Sequence, residues 1–213
     1  MLRVLEYVAY PALAGSAFCL LSLGVVTWLP ALAAMAHVLE RWRADGDSRC
    51  FTGVFVAFPR YWRALWGHAL ASTAALAVLV AGIAFLVQRP EPVAIPLLAV
   101  QVGVFAAFVT YHLAVAVVAG AAGPQHARPR RWCAIALVFA FGSVRRGLGL
   151  LAAAVLAPAI ALPLAVGPFV LGPSLAVLAG LVMVDTNAVR AKGAPWTDPH
   201  RSHPASGECS RRR

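Results

Sequence analysis

Charge is scarce in this chain. Asp, Glu, Lys and Arg together make up 12% of its 213 residues, about half the share found in a soluble globular domain. Lysine is nearly absent, with Lys192 standing alone against seventeen arginines, a bias that points to a GC-rich bacterial genome and to no physical demand. The four cysteines, Cys19, Cys50, Cys133 and Cys209, form no CxxC pair, which argues against zinc ribbons and dithiol redox motifs. Apolar and polar residues do not alternate along the long apolar segments, so a transmembrane β-barrel is excluded. Gly147-Leu148-Gly149 has no strand before it and is no nucleotide fingerprint. No Ser/His/Asp set and no carboxylate pair has a common location. The expectation is therefore a protein that is not an enzyme, with no catalytic residue and no cofactor. Asp198, His200 and His203 lie in a Pro/Gly/Ser-rich tail, a composition that favours disorder, and no metal ligand is assigned there.

What the chain has instead is length without charge. With His ignored, the intervals 7–39, 64–88, 92–127 and 147–184 hold no charged residue and run for 33, 25, 36 and 38 positions. Each exceeds the ~20 residues that a spanning helix needs. The mean hydropathy is +0.78. Inside lipid the backbone must satisfy its own hydrogen bonds, and continuous apolar runs do so as helices. The fold class expected is all-α, a polytopic transmembrane helical bundle. Arg3 and the small residues Ala14-Gly15-Ser16-Ala17 loosely fit a cleaved signal peptide. The apolar run continues to Leu39, however, so an uncleaved span is expected.

Five spans are expected, at about 8–28, 64–88, 93–119, 147–165 and 169–187. Pro30 cannot continue the first helix without a kink and suits the first turn of a second one. Gly167-Pro168 splits the longest interval. Three shorter helices, about 31–43, 50–63 and 132–144, are too short to cross. In the second of these, Phe51, Val54, Phe55, Phe58 and Trp62 follow helical spacing, with Arg60 and Arg63 off that stripe. Such helices either lie in the membrane interface or pack on protein. The domain division expected is 1–189 as the helical membrane domain and 190–213 as a disordered basic tail.

Sixteen of the 18 basic residues fall in 40–63, 120–146 and the tail. By the positive-inside rule these face the cytoplasm, which with five spans leaves the N-terminus outside and the C-terminus inside. All six tryptophans are expected toward the cytoplasmic face, where indoles favour the headgroup zone. The net charge of +10 is then matched to anionic lipid on that face, not to nucleic acid. Phe51, Phe55, Phe58, Arg60, Trp62, Arg63, Trp132, Arg145 and Arg146 are the expected cytoplasmic-interface residues. The ionisable groups His37, His68, His112 and Asp185 fall toward the cytoplasmic ends of spans. They either line one polar vestibule or sit singly at headgroup level. Gln101 is the residue nearest mid-membrane, placed for a helix–helix hydrogen bond. Segments 56–65 and 139–148 align at an offset of 83 through Ala57/Ala140, Phe58/Phe141, Arg63/Arg146 and Leu65/Leu148. That is a weak parallel repeat, an arrangement that occurs in transporters.

Residues 25–70, and within them Thr27, Pro30, Ala31, Ala34, the Gly46-Asp47 turn and the aromatic segment Phe55-Val56-Ala57-Phe58, resemble the YesL-like family of small bacterial membrane proteins. Trp28 and Leu29 stand where that family more often has Ile and Gly, and Pro59 is foreign to its pattern. The resemblance implies a multi-pass protein of the bacterial cell membrane, found beside carbohydrate uptake systems and carrying no agreed activity. The function expected is a non-enzymatic accessory or partner-binding component of a membrane transport complex. The alternative is a small transporter or channel, as a homo-oligomer.

Overall fold

A computed structural model describes residues 2–89, 91–124, 129–163 and 167–184. Among them no strand occurs, and seven helices follow in order: α1 (Leu2–Ser22), α2 (Trp28–Asp45), α3 (Cys50–Val87), α4 (Ala94–Ala122), α5 (Pro129–Phe141), α6 (Val144–Ala161) and α7 (Gly167–Met183). Three of these, α3, α4 and α6, are long and apolar enough to cross a membrane, and α7 is apolar but shorter.

The chain reverses between α1 and α2. Residues 23–27 form a turn in which Val25 adopts φ 44, a left-handed conformation that β-branched residues rarely enter. Pro30 makes no kink, because it lies in the first turn of α2, where a missing N–H costs nothing. The two helices are antiparallel: Tyr7 and Tyr10 near the start of α1 pack on Trp42 near the end of α2, with ring centroids 5.3 and 5.6 Å apart. The start of α1 therefore lies at the same end of the bundle as Arg41 and Arg43. This corrects the expectation that the N-terminus sits opposite the basic loops.

Helix α2 is the centre of the molecule. Leu29 to Ala36 are buried on every side, as are Val38, Leu39 and Glu40, the pattern of a core helix. Of the two placements left open for 31–43, the structure shows packing on protein. Its surroundings are the first half of α3 and the second half of α4, where Leu113 to Ala122 are buried in an unbroken run. Alanine and glycine let these backbones approach. A Cβ on Gly120 would stand 2.6 Å from that of Ala36 and 2.8 Å from the backbone nitrogen of His37. A Cβ on Gly15 would overlap the Val170 carbonyl oxygen where α1 meets α7. Gly46 ends α2 at φ 71 with its N–H on Trp42 O, the left-handed cap that glycine favours.

Helix α3 corrects a second expectation. Segments 50–63 and 64–88 are one helix of 38 residues, ~57 Å long, and Pro59 lies inside it. The inward stripe is Cys50, Val54, Ala57, Tyr61, Leu65, Ala69 and Ser72, displaced from the aromatic stripe read in the sequence. Phe51 and Phe55 are exposed and Phe58 and Trp62 half-buried, the second pair stacked at 6.1 Å. Segment 139–148, its aligned counterpart, breaks at Gly142-Ser143, with Ser143 extended at φ −147. The aligned segments therefore differ in local structure.

Successive contacts fix the directions. Trp28 meets Thr73 and His37 meets Tyr61 across α2 and α3. Ser72 meets His112 and Tyr61 meets Ala119 across α3 and α4. Across α6 and α7, Pro158 meets Gly172 and Leu150 meets Gly180. Helices α1, α3 and α6 run one way and α2, α4 and α7 return. The outer halves of α3 and α4 extend past the turn between α1 and α2 as a two-helix arm. Val78, Val80, Phe85, Ile95, Leu97 and Val100 are exposed on it.

Candidate functional site

The most concentrated polar group lies where α2, α3 and α4 meet. Helix α3 supplies His68, Ser72 and Thr73, α4 supplies Tyr111 and His112, and α2 supplies Trp28. His68 and Ser72 are four residues apart and share a face. Trp28 Nε1–H donates to Thr73 Oγ1 at 3.1 Å. His112 Nδ1 lies 2.8 Å from the Phe108 carbonyl oxygen, so the neutral ring carries its proton on Nδ1 and its Nε2 accepts. That Nε2 is 2.7 Å from Ser72 Oγ, which is also 2.6 Å from the His68 carbonyl oxygen. The single hydroxyl proton of Ser72 serves one of these two acceptors at a time. The His68 and His112 rings stack at 5.5 Å and 21°, while Tyr111 meets His112 edge-on at 4.9 Å. His68 Nε2 is buried with no hydrogen-bond partner among the described residues.

Ser72 and His112 have the distance of a nucleophile and its base, but not the surroundings. Both are buried. Ser72 lies well inside α3, where backbone N–H groups are committed to the helix, so the backbone beside it offers no donor to an oxyanion. The cluster instead borders an apolar cavity of about 330 Å³ among α1, α2, α3, α4, α6 and α7. His112 and Trp28 form its polar edge, and Phe18, Phe105, Pro158 and Pro173 are among its apolar walls. The arrangement can hold an apolar group against two aromatic rings.

The four-residue vestibule read from the sequence divides. His68 and His112 come together. His37 lies elsewhere, its ring 6.0 Å from Tyr61 and its Nδ1 3.3 Å from Gly120 O. Tyr61 and His68 are seven residues apart on one helix, ~10 Å along its axis. Asp185 lies outside the described residues. Gln101 Nε2–H donates to Leu79 O at 3.2 Å, tying α4 to α3 in the projecting arm.

Of the interface residues, Arg60, Arg63, Arg145 and Arg146 are exposed, and the Arg146 guanidinium lies 5.8 Å over the Phe139 ring. Trp132 is a correction: it is buried against Tyr61, 6.0 Å between rings, because α5 packs on the core. Trp28 is another, standing at the end of α2 remote from Arg41. The Trp28–Thr73 and Ser72–His112 pairs were not anticipated. The four-residue spacing of His68 and Ser72, and the Tyr111-His112 pair inside a long apolar run, were the signals.

No protein-family model, no curated protein and no solved structure matches this chain. Fold and site define it as an all-helical protein with helices fit to enter a membrane.

Proposed function

We propose that this is a multi-pass protein of the bacterial cell membrane that works without catalysis, as an accessory that binds a partner membrane complex. The resemblance of residues 25–70 to YesL-like proteins gives carbohydrate uptake as its setting. The observation that carries the reading is the contrast between a sealed centre and an apolar arm. The heart of the bundle is Leu, Ala and Met of α2 against Ala, Val and Gly of α4, with Leu29 to Ala36 and Leu113 to Ala122 buried, so an apolar seam joins these two helices. The arm of α3 and α4 exposes Val78, Phe85, Ile95 and Val100, a surface made for lipid tails or another membrane helix.

In this reading the basic end faces the cytoplasm, with anionic lipid against it. The chain traverses the bundle an even number of times, which brings the start of α1 and the end of α7 to that same side. The second reading, a small transporter or oligomeric channel, is favoured by one observation, the buried and unpartnered His68 Nε2 beside His112. The deciding experiment is purification of the full chain in mild detergent after alkaline carbonate extraction. A stable heteromeric complex is the expected result. A lone homo-oligomer that moves solute into vesicles, and loses that activity on replacement of His68, His112 or Gln101, would establish the second reading instead.

A further inference from the structure

A second cavity, of about 230 Å³, opens at the basic end, between the last turns of α2, residues 46–49, the first turns of α3 and Pro124. Arg41, Arg49 and Arg60 line it, each from a different segment, with His37 and Thr52 between them. Asp47 is the acidic residue on its wall, and it is already engaged. Arg41 Nη2 lies 2.7 Å from Asp47 Oδ2, and Arg49 N–H donates to Asp47 Oδ1 at 3.1 Å. One carboxylate therefore stands among three guanidinium groups, and the cavity keeps an excess of positive charge.

The start of α3 points the same way. Its N-cap position is Arg49, which gives no side-chain cap. A guanidinium has donors and no acceptor, so it cannot serve the first N–H groups of the helix as Ser or Asp would. Those groups carry the positive end of a helix dipole, which favours an anion. Thr52 and Gly53 of that first turn are on the cavity wall. Arginine pairs with phosphate oxygens through two parallel N–H donors.

We propose that this cavity binds a phosphate group, carried by an anionic lipid headgroup or by a soluble phosphate ester. Asp47 acts as a positioning residue, holding Arg41 and the 46–49 segment in place, while Arg49 and Arg60 supply the free charge. The lipid source rests on the membrane reading above, whereas the anion chemistry does not. A chain that washed out of membranes in carbonate and still bound a phosphate ester would overturn the first and keep the second.

The test uses the full chain in detergent micelles, with bound lipid counted by native mass spectrometry. Phosphatidylglycerol is expected to bind at least tenfold more tightly than phosphatidylcholine. R49Q/R60Q should lower that affinity at least tenfold and R49K/R60K less than threefold. R145Q/R146Q, at the same end but outside the cavity, should leave it within twofold. Glycerol 3-phosphate added in solution identifies the source. Displacement of the lipid means the site accepts phosphate esters generally, and no displacement with lipid still bound means the headgroup in its membrane is the ligand. Equal binding of the two lipids would overturn the proposal. So would a loss under threefold in R49Q/R60Q, or an equal loss in R145Q/R146Q. Should R49Q/R60Q lose helix content by circular dichroism, R60Q alone, at an exposed position of α3, is read in its place against the same threefold limit.

Discussion

Gly120 shows how little room single residues have at the centre of this molecule. With a Cβ there 2.6 Å from the Ala36 side chain and 2.8 Å from backbone, the neighbour that must yield is a helix and not a flexible side-chain end. Overpacking of this kind costs about 1–3 kcal/mol. Gly120→Val is expected to lower the thermal midpoint in detergent, while Gly103→Val on the arm, where nothing stands within 4 Å of the added Cβ, leaves it unchanged. Tyr61 makes a second test. It is fully buried and donates to Ala119 O at 3.2 Å, but Ala119 O also accepts from Gly123 N–H at 3.1 Å. Tyr61→Phe thus leaves no orphaned carbonyl and should cost about 0.5–2 kcal/mol. Tyr61→Ala, which empties the space between His37 and Trp132, should cost about 3–5 kcal/mol. Equal losses in a reversible unfolding titration would mean that the hydroxyl, and not the ring, holds the site.

Among the elements, α3 separates what periodicity can say from what it cannot. Helical spacing was legible from Cys50 onward, and so was the apolar character of 64–88. Continuity across Arg60 and Arg63 was not, because charge within a helix reads the same whether the helix bends at a membrane surface or continues straight out of it. The inward stripe was displaced for a related reason. Phe and Trp dominate any moment by size, yet the buried face is set by the partner, and α2 presents Val38 close to Gly53, which demands small residues there. A pair of spin labels at positions 52 and 86 distinguishes the two geometries. A straight α3 places them ~51 Å apart, whereas a right-angle bend near residue 63 gives ~38 Å. The Gln101 bridge to Leu79 O belongs to this scale too. Gln101→Leu should loosen the arm without unfolding the bundle, seen as faster hydrogen exchange confined to 79–87 and 94–101.

At the scale of the whole molecule the antiparallel pairing of α1 with α2 puts the start of α1 at the end of the bundle that carries Arg41 and Arg43, and the proposed sidedness rests on that pairing. An odd number of crossings is the expectation if 31–43 lies flat, and an even number is the proposal if α2, which runs back along α1 with Tyr7 and Tyr10 on Trp42, crosses with it. Single cysteines introduced at Glu6, Ser48 and Glu91 in a chain lacking its native cysteines test this. Glu6→Cys and Ser48→Cys should react with an impermeant maleimide only after the cells are opened, and Glu91→Cys in intact cells. Reaction of Glu6→Cys in intact cells, with Ser48→Cys protected, would restore the odd-numbered threading.

Composition alone determined the class of this protein. Uncharged runs of 25 or more residues leave helix as the way for a backbone in lipid to bond itself, and clustered arginines mark one end of the bundle whatever the packing. The rest belonged to the tertiary structure. The tight turn at Val25 has no glycine or proline where its positive φ falls. The burial of α2 depends on Gly120 and Ala36, which are far apart in sequence. The meeting of His68 with His112, and of three arginines around one cavity, depends on which faces the helices turn toward each other. Periodicity defines a face, but only the neighbouring helix determines where that face points.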